Sequence, residues 1–293
     1  MNASYYSGPP PGFVLRRIKT PAGRIAIWER QGSGPALVLI HGNSASKSAF
    51  RRLLRESVFA DRRVLVLDLP GAGESENARD PEADYTFTAM AQTIQTVLIG
   101  MNAVRPIVLG WSLGGHLAIE AIGQGADFAA LILTGTPPCG PGAEEVATVF
   151  YPNEMMEVVT GEAPPPELLE AYIRVLYGKT EPIDLELFEA GRRFDGRMRR
   201  VFSANLMEFG TRSGTPRPLP QRAVVAKWEN PISVIQGDEE PFFDPRALDS
   251  LHWNNLWRGR VQFVSGTGHA PFYEKPDAYG ALLAAFLTDI GAR

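Results

Sequence analysis

Six short, nearly uninterrupted apolar runs punctuate the chain: ALVLI (36–40), VLVLD (64–68), PIVLG (106–110), AALILT (129–134), PISVIQ (231–236) and VQFVS (261–265). A strand with one wet face alternates apolar and polar residues. Runs without that alternation belong to strands covered on both sides, as in a parallel sheet. Helix-length segments fall between them, at Thr86–Ile99, Gly114–Ile122 and Pro276–Ile290. Strand and helix taken in turn predict an α/β fold: a mostly parallel central sheet flanked by helices. Ahead of these, FVLRRIKT and RIAIWERQ bracket PAGR and predict an antiparallel hairpin at the sheet edge.

The alternation stops between about Pro141 and Gln221. The expected organisation is a core of residues 1–140 and 222–293 with a helical lid, 141–221, inserted after the sixth strand. The insertion opens its helical part after Pro164-Pro165-Pro166, with one helix over Glu167–Tyr177 and another around Leu185–Phe209, before SGTPRPLPQ. Leu168, Leu169, Tyr172, Ile173, Leu176 and Tyr177 recur at helical spacing. The stretch also holds Met155, Met156, Met198 and Met207, four of the seven methionines, and eight aromatics from Phe150 to Phe209. Such a stripe can simply meet the core. An insertion beside the sheet favours a lid that walls an apolar pocket, because pockets form where units meet and methionine adapts to irregular shapes.

Composition removes several classes of function. With 293 residues and 44% hydrophobic content, the chain can bury a large core. A net charge of −4 gives no basic face for a nucleic acid. A single cysteine, Cys139, allows no internal disulfide and builds no thiolate metal site. MNASYYSGPPPG has neither the basic nor the apolar part of a secretory leader, and no apolar run approaches the ~18 residues of a membrane span. The expectation is a cytoplasmic protein without metal or cofactor, without nucleic-acid or membrane partner, acting on a small molecule. Monomer and homodimer both stay open.

Gly110-Trp111-Ser112-Leu113-Gly114 carries the chemistry. It follows the run PIVLG and opens a helix, the context in which G-x-S-x-G lifts a nucleophilic serine on a sharp turn. The bland alternative is an ordinary helix cap. A serine nucleophile needs a base, and His269 in GTGHAPF follows the last strand, where the chain order Ser, acid, His puts it. His116 is expected to support the fold, His41 to shape the LIHGNS loop, and His252 to lie exposed or packed on tryptophan. The acid comes from the loop after PISVIQ, where Glu240 is favoured by position and Asp238 is the competing carboxylate. An oxyanion hole needs two amide donors. Leu113 supplies one and Asn43, behind His41-Gly42, the other, with Gly42 giving the reacting carbonyl room. In DLPGAGES, Asp68 and Ser75 are expected to build turns.

Together LIHGN, DLPGAGES, GWSLGGH, a G-x-x-E loop and GTGHAPF make the whole chain resemble the α/β-hydrolase superfamily. HGNSAS, GWSLGGHLAIE, LTGTPP, FDGRMRRVF, DEEPF, NNLWRG and GHAPF resemble one branch, the AidH-type N-acyl-homoserine lactonases. That resemblance implies an α/β-hydrolase fold, a glutamate as triad acid at Glu240, Asn43 at the lactone-binding oxyanion loop, and a lid tyrosine on the lactone. The tyrosine falls on Tyr172, with Tyr177 as the fallback. Trp111 is counted with Gly42 and Tyr172 among the substrate-binding residues.

The leading expectation is a metal-free serine hydrolase that opens N-acyl-homoserine lactones with Ser112, His269 and Glu240. A general carboxylesterase on short acyl esters would use the same residues, and C–C bond hydrolysis ranks below it. Dehalogenation and epoxide opening are disfavoured, because they place an aspartate where Ser112 stands. A lactone receptor that binds without turnover is the alternative from a different class.

Overall fold

The six apolar runs are strands, and they lie side by side. The structure is a computed structural model that describes residues 8–152, 154–208 and 213–292. Among these, one sheet holds β1 (Val14–Thr20), β2 (Gly23–Arg30), β3 (Ser33–Ile40), β4 (Arg62–Leu67), β5 (Ile107–Trp111), β6 (Ala130–Thr134), β7 (Ile232–Gly237) and β8 (Gln262–Val264). Their spatial order is β1-β2-β4-β3-β5-β6-β7-β8. β1 and β2 form the expected edge hairpin, and β2 runs antiparallel to β4. Every other pair is parallel. Every residue of β5, β6 and β7 is buried, as continuous apolar runs demand. Register sets Leu39 beside Leu109 and Leu109 beside Ile132, one layer of the core. Each such side chain contributes about 1.5–3 kcal/mol by leaving water.

The helices Phe87–Gly100, Leu113–Gly123 and Pro276–Asp289 stand within two residues of the expected bounds. Thr86 caps the first by accepting from Ala89 N–H. No helix among the described residues is long and apolar enough to cross a membrane.

Between β6 and β7 the chain leaves the sheet and, among the described residues, forms the helices Ala143–Ala147, Met156–Thr160, Pro166–Leu176, Leu185–Arg193 and Gly196–Met207. A further short helix, Gln221–Val225, leads back to the sheet. The single helix expected around 185–209 is two, and Phe209 lies outside the described residues. The break has a cause in Asp195. Its carboxylate caps the second helix at Arg197 N–H (3.1 Å) and accepts from the buried Tyr85 hydroxyl (2.7 Å). Its own N–H donates to Gly71 O (2.8 Å). A continuous helix would forfeit all three bonds. At its base the insertion is tied off by Gly142 N–H to Leu206 O (2.8 Å) and Gln221 N–H to Cys139 O (3.1 Å).

Candidate active site

In a parallel sheet, the loops that follow the strands gather at one end, where ligands bind. Ser112 stands directly after β5 at φ 53°, ψ −122°, backbone space that a non-glycine residue occupies at a cost of about 1–3 kcal/mol. Its side chain makes no capping bond to the helix behind it, so the ordinary-cap reading does not describe this serine. The turn is possible because a Cβ on Gly110 would strike the Gly115 backbone, and one on Gly114 the Ile40 carbonyl.

His269, in the loop after β8, sets Nδ1 at 2.9 Å from both carboxylate oxygens of Glu240. Both side chains are buried. Glu240 is itself held by Gln236 Nε2–H (2.8 Å) and by Phe242 N–H (3.1 Å). With Nδ1 engaged, Nε2 is the ring nitrogen not taken by Glu240, and His269 and Ser112 line one cavity. Among the described residues Ser112 Oγ has no hydrogen-bond partner. Such bonds often close only when substrate binds.

The competing carboxylate is occupied elsewhere. Asp238 accepts from Gly266 N–H (2.6 Å) and Ser265 Oγ–H (3.0 Å), closing the β7 loop onto the β8 loop. Partial burial pushes its carboxyl up, but these bonds outweigh burial and hold it below the ordinary range.

Asn43 and Leu113 both line the cavity, and among the described residues neither backbone N–H has a protein acceptor. Tyr172 joins them from the helix Pro166–Leu176, its ring 6.0 Å from that of Phe242. Burial pushes its hydroxyl well above the ordinary value, so it stays a proton donor. Tyr177 is absent from the cavity lining. It packs on Trp111 (5.5 Å) and Tyr273 (4.9 Å), and among the described residues its buried hydroxyl has no partner.

Two substrate-binding expectations need correction. Trp111 is not on the cavity wall: the indole is wholly buried, packs on Phe272 and His269, and donates Nε1–H to His269 O (2.9 Å). It braces the His269 loop from behind. Gly42 does not line the cavity either. A Cβ there would come within 2.9 Å of Ser112 Cβ, so the missing side chain makes room for the serine itself.

The methionines also divide. Met156 and Met207 line the cavity, whereas Met198 is wholly buried in the core and Met155 packs against it. His41 shapes its loop as expected, with Nδ1–H donating to Gly42 O (2.8 Å) and Nε2 accepting from Leu69 N–H (3.0 Å). Desolvation lowers it to about 4. His252 is exposed. Asp68 and Ser75 build the turn, and Asp68 also accepts from Lys47 N–H (2.8 Å) and pairs with the buried Lys47 ammonium.

Sequence reasoning missed two supports and a wall residue. Gln236 clamps Glu240 with one end of its amide and accepts from Gly135 N–H (2.8 Å) with the other. A lone polar residue closing a buried strand was the signal. Arg199, also buried, donates Nε–H to Ser44 Oγ (2.8 Å) and Nη2–H to Gly191 O (3.0 Å), fastening the Asn43 loop to the insertion. It lies within FDGRMRRVF, but that run does not say which of its arginines is buried. His116, expected only to support the fold, is also on the cavity wall.

The model of the alpha/beta hydrolase family matches residues 37–282. Among solved structures, the N-acyl homoserine lactonase AidH complexed with N-butanoyl homoserine superposes at a TM-score of 0.86 and 35% identity, over 94% of this chain and 97% of that one. A serine-to-glycine variant of AidH complexed with N-hexanoyl homoserine lactone gives 0.86 and 35%, over 94% and 98%. A curated relative, the pimeloyl-[acyl-carrier protein] methyl ester esterase of Nitrosospira multiformis, is 27% identical over 90% of this chain and 99% of its own length. Polyketide synthase ThaQ of Burkholderia thailandensis is 24% identical over 98% of this chain, which spans 13% of that much longer protein.

Proposed function

The chain belongs to the alpha/beta hydrolase family, and from that premise we propose that it is a carboxylic ester hydrolase that opens the ring of N-acyl-homoserine lactones. Ser112 Oγ attacks the ring carbonyl carbon while His269 Nε2 takes its proton. Glu240 fixes the imidazole by Nδ1–H and balances the imidazolium. The oxyanion of the tetrahedral intermediate is met by the Asn43 and Leu113 amides. As the intermediate collapses, the bond from the carbonyl carbon to the ring oxygen breaks, and that oxygen takes the proton from His269. The resulting hydroxyl stays tethered to the homoserine carbon chain, now esterified to Ser112. Water, deprotonated by His269, then attacks the same carbonyl and releases the acyl-homoserine.

The observation that carries the lactone over other esters is the likeness to an N-acyl homoserine lactonase at 35% identity across 94% of the chain. Coverage that broad takes in the helical insertion, the part that shapes the cavity. The insertion then acts as a lid, with Phe202, Met207 and Leu206 against the acyl chain and Tyr172 beside the ring. The likeness to a methyl ester esterase favours open-chain esters as a second reading.

Proton release with hexanoyl- and decanoyl-homoserine lactone, beside p-nitrophenyl butyrate and with chelator present, tests the assignment. Lactone opening that resists chelation and vanishes in Ser112→Ala is the expected result. Ester cleavage without lactone opening would keep the triad and discard the substrate.

A further inference from the structure

Away from the reacting centre the described cavity wall is apolar except at His116, Thr160 and Ser203. Each has a fixed hydrogen-bonding sense. Thr160 Oγ–H donates to Met156 O (2.8 Å) and Ser203 Oγ–H to Val159 O (3.1 Å), so both hydroxyl protons are spent. His116 Nδ1 lies 2.7 Å from Gln221 Oε1. The same Gln221 atom faces the Cys139 backbone N–H at 3.4 Å, which identifies it as the amide oxygen and puts the imidazole proton on Nδ1. Desolvation holds His116 down at about 4, so the ring is neutral near pH 7. Its Nε2 therefore carries a lone pair, and among the described residues no donor meets it. Among the described residues, His116, Thr160 and Ser203 thus offer this part of the cavity acceptors and no free side-chain donor.

That pattern reads one functional group. A ketone oxygen placed here would face lone pairs and lose the donors it had in water. A hydroxyl would find a partner, and an imidazole nitrogen is a good acceptor for it. His116 N–H donates to Ser112 O (3.2 Å), so the imidazole is rooted one turn along the chain from the reacting serine, and both residues line the cavity. This suits a substituent near the head of the acyl chain, such as one on its third carbon. We propose that the site selects acyl chains bearing a hydroxyl group near the amide, held by His116 Nε2, over the matching ketones. The proposal rests on the acyl-lactone reading above and makes His116 a specificity-determining residue.

The test compares kcat/KM for the N-decanoyl, N-3-hydroxydecanoyl and N-3-oxodecanoyl homoserine lactones. In the wild type the hydroxylated chain is expected to lead the unsubstituted one by about threefold to tenfold, the worth of one neutral hydrogen bond, and the ketone to trail both. His116→Phe brings the hydroxyl ratio to about one. Gln221→Leu keeps the imidazole but releases the Nδ1 proton, and it erodes the ratio as well. Ratios within one protein cancel losses common to all three substrates, and the wild-type ratio needs no variant to fold. A second arm measures by calorimetry the affinity of the Ser112→Ala protein for ring-opened N-decanoyl homoserine and its 3-hydroxy counterpart, which requires no turnover. Equal rates for the three lactones, or a lead for the ketone, overturns the proposal. Tighter binding of the hydroxylated chain without lactone opening would sink the lactonase reading and leave the hydroxyl preference standing.

Discussion

The two walls of the cavity are built on opposite principles. On the sheet side, Ser112, His269 and Glu240 sit on loops bound to buried strands, and nearly every polar group around Glu240 and His269 is answered by another within hydrogen-bond distance. On the insertion side the wall is mostly hydrocarbon and aromatic, from Val146, Phe150, Met156, Val159, Phe202, Leu206 and Met207. Its links back to the core run through polar contacts, among them Arg199 to Ser44, Asp195 to Tyr85, Arg51 to Glu186 and Arg193 to Ser75. Hydrogen bonds demand particular atoms at particular distances, whereas an apolar wall demands only shape and volume. The first wall can do one kind of chemistry. The second can be retuned without touching it.

The sharpest way to break this division is to remove chemistry while leaving shape. Ser112→Ala is expected to lower kcat on lactones by about ten-thousand-fold or more, with the thermal midpoint nearly unchanged. Glu240→Gln should cost about a hundredfold to ten-thousandfold in kcat, since the imidazole loses its charged anchor. Asp238→Asn should leave kcat within about threefold and lower thermal stability instead, because Asp238 only ties two loops together. Equal kinetic losses in these two variants would overturn the assignment of the acid.

Changes on the other wall should appear in binding. Phe202→Ala is expected to raise KM for decanoyl-homoserine lactone about tenfold while shifting KM for the butanoyl lactone much less. A kcat loss of the same size for both chains would mean that the walls are not separable. Asp195→Ala removes a helix cap and a partner of Tyr85, and chemical denaturation should read a loss of about 2 kcal/mol. The last expected effect is one of pH. His41 and His116 are lowered from 6.5 to about 4 by desolvation, so both are neutral when folded and bind protons more readily once unfolded. Their contribution is complete above about pH 6.5 and is lost as pH falls toward 4. Denaturant midpoints measured across that window should fall with pH, and less steeply in a His116→Asn variant.

The sheet wall was largely legible in the sequence, and the reasons are physical. Continuous apolar runs cannot hide their pairing, and the turn carrying Ser112 admits only glycine where Gly110 and Gly114 sit. Glu240 and Asp238 could be ranked only by position, because both are carboxylates on one loop and only the path of the backbone decides which reaches His269. The insertion was legible as helical and apolar, but no further. Periodicity ran through Phe194 and Asp195 without showing the break, since the bonds that break the helix come from Tyr85 and Gly71, more than a hundred positions away. Trp111 was misread for a related reason. Sitting beside a nucleophile says nothing about which side of the strand a side chain takes, and the indole turned toward the core.

The paired backbone bonds at the neck of the insertion, Gly142 to Leu206 and Gln221 to Cys139, have a consequence for how such a protein can be rebuilt. They bring the segment's two ends together on the same side of the sheet, where β6 hands over to β7. A segment with adjacent ends can be exchanged as a cassette without altering the path of any strand. A transplanted segment would have to bring its own Asp195 and Arg199 equivalents to grip Tyr85 and Ser44. With those and the other polar contacts to the core kept, the apolar wall inside the cassette is free to vary, and one hydrolytic engine can carry a range of pocket shapes.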